Sequence, residues 1–136
     1  MLWIDPDRVT FNGAPLPGVT AIALSRAAER TTIEWTDNGP HPTFADAPEQ
    51  RTTIRITRTI APGEPLTLKP GDAAALTFRA APSLAHAGAS SVSASLVITA
   101  IAHAADPKRP LTQTIDAIAL SADGAADPIT HTPLTA

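Results

Sequence analysis

The chain has 136 residues, a formal net charge of −3 and no cysteine. This length suits one domain built around a single core. The acidic balance disfavours a protein that gains affinity by neutralising nucleic-acid phosphates, and the missing cysteine excludes disulfides and thiolate metal sites.

The distribution of proline predicts the fold class. Fourteen prolines stand against seven glycines, and each proline inside a helix would remove a hydrogen bond and clash with the preceding turn. The intervals between the prolines suit short strands joined by turns. We therefore predict an all-β fold, a single-domain β-sandwich or small β-barrel of about seven strands, with long loops and at most one short helix.

The first strand is predicted at residues 8–11. It ends at Asn12-Gly13, a pair that tolerates the positive φ angles of a tight hairpin turn. The return strand of this hairpin is expected at residues 19–26. A further strand is expected at residues 30–36, where apolar and polar residues alternate and predict one solvent-exposed face.

Residues 37–50 are polar and broken by prolines, which predicts a long loop. We expect this loop to contact a neighbouring subunit, because a loop of this length in a compact domain needs a purpose. The next strand, at residues 51–60, shows the clearest alternation. Ile54 and Ile56 lie on its predicted core face, and Arg55 lies among polar residues on the other face.

Strands are also expected at residues 73–80, 90–103 and 112–121, and two turns of helix are conceivable at residues 80–88. The last of these strands is centred on apolar residues, which are Ile115, Ile118 and Leu120. Residues 122–136 lack an apolar periodicity. The domain is therefore expected to span residues 1–121, followed by an extended C-terminal arm that is free or docked on another copy.

The strand at residues 90–103 is predicted to be apolar on both faces, with Ile98 on one face and Ile101 on the other. A strand of this kind can pack in its own sheet and also meet a partner. No apolar stretch approaches the ~18 residues of a membrane-spanning helix, so no membrane partner is expected.

No pattern of catalytic or metal-binding residues is found. The histidines lack the close spacing that places two imidazoles on one metal; they are His41, His86, His103 and His131. Asp123 and Asp127 bracket a glycine but lack the other oxygen ligands of a calcium loop. No nucleophile elbow or phosphate-binding loop occurs. The sequence therefore predicts no enzyme, and no catalytic, cofactor-binding or metal site.

Three arginines are the nearest approach to a basic stripe, namely Arg51, Arg55 and Arg58, but Arg58 has the other parity in the strand. The aromatic platforms on which nucleic-acid bases stack are missing around them. We therefore predict that they form a solvated or salt-bridged strand face.

Several short motifs resemble those of phage tail tube proteins. Residues 9–22 read VTFNGAPLPGVTAI, which resembles the opening hairpin of that family, with its Asn-Gly turn and Gly-Val-initiated strand. The run DNGP at residues 37–40 is similar to the point where the family inserts an extended loop. Residues 113–115, QTI, lead into residues 119–128, ALSADGAADP, which resemble the closing strand and small-polar turn.

This resemblance implies a structural virion subunit of long-tailed bacteriophages or phage-derived particles such as gene transfer agents. Copies of such a subunit join their sheets into hexameric rings, and the stacked rings form the conduit for DNA. The implied partners are other copies of the chain, other tail proteins and DNA that passes without specific binding. The implied location is the phage tail of the virion, after assembly in the bacterial cytoplasm.

Two other classes remain open from the residues. One is another β-sandwich virion component, such as a tail terminator, a distal tail protein or a head decoration protein. The other is a secreted β-sandwich module that binds carbohydrate or protein. A sugar-binding sheet needs exposed aromatic residues, and two tryptophans with no tyrosine disfavour it.

Overall fold

The computed structural model describes residues 2–4, 7–61, 68–80 and 90–133. Within these ranges the protein is all-β, as predicted, and its nine strands form one antiparallel sheet that does not close into a barrel. The described residues include no helix that is long and apolar enough to cross a membrane. The helix considered at residues 80–88 falls outside them from residue 81 onward.

The strands are β1 (Leu2–Ile4), β2 (Asp7–Phe11), β3 (Ala14–Pro15), β4 (Val19–Trp35), β5 (Pro42–Thr59), β6 (Ala73–Ala80), β7 (Ser90–Asp106), β8 (Arg109–Leu120) and β9 (Ile129–Pro133). Their order across the sheet is β1-β4-β5-β8-β7-β6-β2-β3, and β9 pairs with β7. The strand pairs β4–β5, β6–β7 and β7–β8 are therefore neighbours in both sequence and space.

One hydrophobic core lies against the inner face of this sheet. Val9 of β2 belongs to the same cluster of buried residues as Ile22 of β4, although the two strands lie far apart in the strand order. Ile56 and Ile115, in the middle of the sheet, are completely buried. A flat sheet would leave one face in water, so this sheet must curve until its two ends cover a common core.

The strand predicted at residues 51–60 is confirmed, and its even-numbered residues point inward. Ile54 and Ile56 are buried as expected. Arg58 is also buried, although a solvated face was predicted for it, because it falls on the same inward parity. In β8, Ile115 faces the core, whereas Ile118 is half-buried and Leu120 is exposed on the outer face.

The first hairpin differs from the prediction in its return strand. Asn12 and Gly13 have positive φ angles of 56° and 79°, as the turn requires. The chain returns at once through β3, whereas β4 pairs with β1 and β5. The prediction of residues 19–26 as the return strand is therefore wrong, because the short β3 completes the turn first.

A β-bulge at Thr99 changes which residues of β7 face the core. Ile98 and Ala100 pair with successive residues of β8, so Thr99 is the extra residue between them. Its hydroxyl donates to the backbone oxygen of Asp116 at 3.1 Å. Because a bulge shifts the alternation by one residue, Ile101 packs against the same core as Ile98, and its predicted place on the face opposite Ile98 is wrong.

Thr20 forms a second bulge of the same kind in β4. It is the extra residue between Val19 and Ala21, and its hydroxyl donates to the backbone oxygen of Thr57 at 3.2 Å. Val19 consequently packs against the same core as Ile22, although the two differ in parity.

Part of the C-terminal arm predicted at residues 122–136 is a strand of the sheet. Within residues 122–136, β9 pairs with Ser90–Ala94 of β7, and Ile129 is buried in the core. A single inward isoleucine among polar residues gives no readable period, so the sequence did not reveal this strand. Residues 134–136 lie outside the described residues.

Candidate assembly interface

A two-stranded ribbon extends beyond the core. The ladder between β4 and β5 continues from Ala27↔Arg51 to Trp35↔Pro42, and we call residues 27–51 the arm. Every residue of β4 from Ser25 onward is exposed. At ~3.3 Å per residue, the arm extends roughly 25 Å past its base.

The arm has an open edge on both sides. In the described residues, β1 pairs with β4 only at Ala21–Ala23, and β8 pairs with β5 only from Thr53 onward. The outer edges of residues 27–51 therefore present unpaired backbone N–H and C=O groups. Open edges are templates for pairing with another chain.

Packing contributes little to the stability of the arm. It has two exposed ion pairs, Arg51 with Glu29 at 2.9 Å and Arg30 with Glu49 at 3.7 Å. Exposed pairs of this kind contribute at most ~1 kcal/mol each. A two-stranded ribbon without a core is marginally stable in water, so the arm gains little stability from its own contacts.

The tip of the arm is apolar on both faces. Ile33 and Trp35 are two residues apart in β4 and therefore share one face of the strand, and Trp35 is 59% exposed. Phe44 pairs with Glu34 and so lies on the opposite face. These are three of the four large hydrophobic residues that are exposed in the described part of the chain. The tip is therefore a wedge with apolar side chains on both sides.

The charges that surround this wedge are acidic. Glu34, Asp37 and Asp46 lie at or near the tip, and no ion pair to them is present within the described ranges. Asp46 accepts only a local backbone hydrogen bond, from Ala47 at 2.8 Å. Repulsion among these carboxylates would oppose contact between two tips, so the charge favours a partner surface that is neutral or basic.

The prediction of a long loop at residues 37–50 is wrong for most of these residues. The connection between the strands spans residues 36–41, and β5 begins at Pro42. The sequence was misleading because both faces of this strand are in solvent, which removes the apolar alternation. Its prolines are tolerated because an edge strand does not need every N–H for pairing.

The tip residues were missed as an exposed cluster. The alternation of residues 30–36 predicted a strand with one buried face, and Phe44 fell in the predicted loop. One signal was available: Glu29 and Arg30 are adjacent, so they point to opposite faces and neither face there suits a core.

The three histidines that the structure describes do not come together in a site. His41 lies at the bend of the arm, His103 on β7 and His131 on β9, while His86 is outside the described residues. No cluster of three or more metal-ligating side chains occurs among the residues described. His103 approaches only Gln113, with 3.0 Å between their Nε2 atoms.

Asp123 and Asp127 shape a turn in the structure. Asp123 accepts hydrogen bonds from the backbone N–H groups of Ala126 at 2.8 Å and Ala125 at 2.9 Å, and these bonds lower its pKa. Asp127 accepts from the backbone N–H of Ile129 at 3.0 Å and then from Arg26 at 2.9 Å, which lowers its pKa in the same way. Donors of both kinds favour the ionised carboxylates.

The three arginines of the predicted stripe lie in different environments. Arg51 pairs with Glu29, and Arg55 pairs with Asp116 at 2.8 Å, which raises the pKa of Arg55. The prediction of a salt-bridged face is confirmed for these two residues. It is wrong for Arg58, which donates from Nε to Oε1 of Gln113 inside the protein.

No protein-family model and no curated protein matches this chain. The interpretation of the arm therefore depends on its own geometry and chemistry.

Proposed function

We propose that this protein is a non-enzymatic structural subunit that assembles with further copies of itself through the arm. The main support is the exposed apolar wedge at the end of a coreless ribbon. A ribbon that protrudes roughly 25 Å with Trp35 and Phe44 in water exposes an apolar surface of the kind that marks contacts with other molecules.

The specific form of this proposal is a tail tube protein of a long-tailed phage or phage-derived particle. Its copies would form stacked hexameric rings around a conduit for DNA, in contact with other tail proteins. The motifs at residues 9–22 and 119–128 support it by resemblance. The all-β fold and the open edges of the arm fit a subunit whose sheets continue into neighbouring copies.

The charge of the chain is compatible with this role. The formal net charge is −3, and the arm ends in unpaired carboxylates. A conduit built from such subunits would not grip the phosphate backbone, so DNA could slide through it.

The test measures self-assembly of the purified protein by light scattering and negative-stain microscopy over a range of protein concentrations. We expect hollow rings or tubes. The matched control replaces residues 28–50 by Asn-Gly, which joins Ala27 to Arg51 through a tight turn and removes no residue of the core.

The arm-deleted variant should stay folded by circular dichroism and remain monomeric. A wild-type chain that stays monomeric at millimolar concentration would refute self-assembly. A variant that assembles like wild type would remove the arm from the interface.

A further inference from the structure

A groove lies on the outer face of the sheet where β8 ends. Its volume is about 630 Å³. Leu120 is one of the residues that line it and lies opposite Ser95 of β7. One wall consists of residues of β6 and β7, including the outward-facing Thr77, and the other consists of the segment after β8, including Ala126 and Pro128.

The groove and the arm tip together account for all of the exposed large hydrophobic residues in the described part of the chain. Three of these residues form the tip, and the fourth is Leu120, which is 47% exposed. The tip is a convex wedge and the groove is a concave slot. Both expose apolar surface to water, and a protruding tip is the kind of surface that a groove can receive.

The tip cannot enter the groove of its own chain. Ile118 pairs with Thr53, so Leu120 lies at the level of Arg51, which is the base of the arm. The tip projects from that base by roughly 25 Å, whereas the groove extends along β7 only from Ser95 to Ser93. Only the groove of another copy can receive it.

The walls of the groove suit the polar parts of the tip. Serine and threonine hydroxyls line it, among them Ser93, Ser95 and Thr130. Hydroxyl groups can donate to carboxylates such as Glu34 and can satisfy backbone groups at the open edges of the ribbon. The one carboxylate in the wall, Asp127, is already paired with Arg26. A tip therefore meets less repulsion in this groove than it would against a second acidic tip.

We infer that the tip of the arm docks into the Leu120 groove of a second copy of this chain, with the Trp35 face against Leu120. This inference rests on the proposed self-assembly and names the receiving surface. The contact is heterologous, because one copy contributes its tip and the other copy contributes its groove. Heterologous contacts repeat in one direction and produce closed rings or open filaments, whereas a contact between two tips would stop at a dimer.

The experiment uses two variants of the full chain, Trp35→Asp on the tip and Leu120→Asp in the groove. Both residues are exposed, so each change should leave the fold intact by circular dichroism. Ser95→Arg is a second groove variant, which fills the slot without changing Leu120. Ala102→Asp is the matched control, because it adds a charge to the exposed surface of β7 away from the groove.

Trp35→Asp, Leu120→Asp and Ser95→Arg should each weaken self-association at least tenfold in sedimentation experiments, whereas Ala102→Asp should assemble like wild type. An equimolar mixture of Trp35→Asp and Leu120→Asp should form discrete one-to-one complexes. One partner then keeps an intact groove and the other an intact tip, and neither can extend the chain.

A tip-to-tip contact predicts a different result: Leu120→Asp would assemble normally, and the mixture would contain no hetero-complex. Either observation overturns the docking site while leaving self-assembly in place. A wild-type chain that never associates overturns the proposed function itself.

Discussion

Leu120 and Ile129 face successive residues of β7, Ser95 and Ala94, although residues 121–128 separate them in the chain. β8 and β9 therefore pair one after the other with the same edge of β7. Residues 121–128, which connect them, leave the sheet and return to it. This excursion forms one wall of the groove. It also contacts β4 just before the arm begins, since Asp127 pairs with Arg26.

Truncation after Pro128 should destabilise the monomer. It removes the pairing of β9 with β7 and the Ile129 side chain, which is 4% exposed. Ile129→Ala alone should lower the free energy of unfolding by about 3 kcal/mol, as for other buried isoleucines. Urea denaturation measures this, with the exposed Thr130→Ala as control, expected within ~0.5 kcal/mol of wild type. If the truncated chain were as stable as wild type, β9 would not be part of the folded core.

Arg58 and Gln113 should show strong energetic coupling. They are 3% and 1% exposed, and the guanidinium Nε lies 2.7 Å from Oε1 of Gln113. Gln113→Leu should cost about 3 kcal/mol, because it removes an acceptor from a buried charge. Arg58→Met combined with Gln113→Leu should cost less than the sum of the two single changes. A double-mutant cycle by urea denaturation measures the coupling, and additive costs would contradict it.

Gly18 should tolerate alanine less well than Gly124 does. Both have positive φ, 77° and 87°, so each alanine costs about 1 kcal/mol or more for the left-handed backbone. At Gly18 a Cβ atom would also collide with the backbone oxygen of Thr59, whereas nothing lies within 4 Å at Gly124. Thermal melting of Gly18→Ala should show the larger loss, and equal losses would rule out the collision.

Acid should loosen the segment between β8 and β9. The pKa values of Asp123 and Asp127 are lowered in the folded state, chiefly by backbone hydrogen bonds. A lowered folded pKa means that the stabilisation is fully present above the ordinary Asp pKa of about 3.9 and is lost as pH falls through the folded pKa.

Amide resonances of Ala126 and Ile129 should therefore shift together as pH falls below about 4. The double variant Asp123→Asn with Asp127→Asn should lose less stability than wild type between pH 6 and pH 3. An identical loss in both proteins would show that these carboxylates do not contribute to the acid sensitivity.

Sequence alternation located the strands that have one buried face. The strand at residues 73–80 was predicted with its observed bounds, the strand predicted at residues 51–60 matches the C-terminal half of β5, and Asn12-Gly13 marked a true turn. Period-two patterning reports burial directly, so it is reliable wherever one face contacts the core.

The sequence alone was not informative where burial does not alternate. The arm has no buried face, so β5 read as a loop before Arg51. Of the β9 residues whose burial is described, Ile129 alone is buried. At Thr99 the bulge moved Ile101 into the core. Composition and alternation thus determined the all-β class and the central strands. Tertiary structure determined the arm, the bulges and the groove, because each depends on which strand lies alongside and in what register.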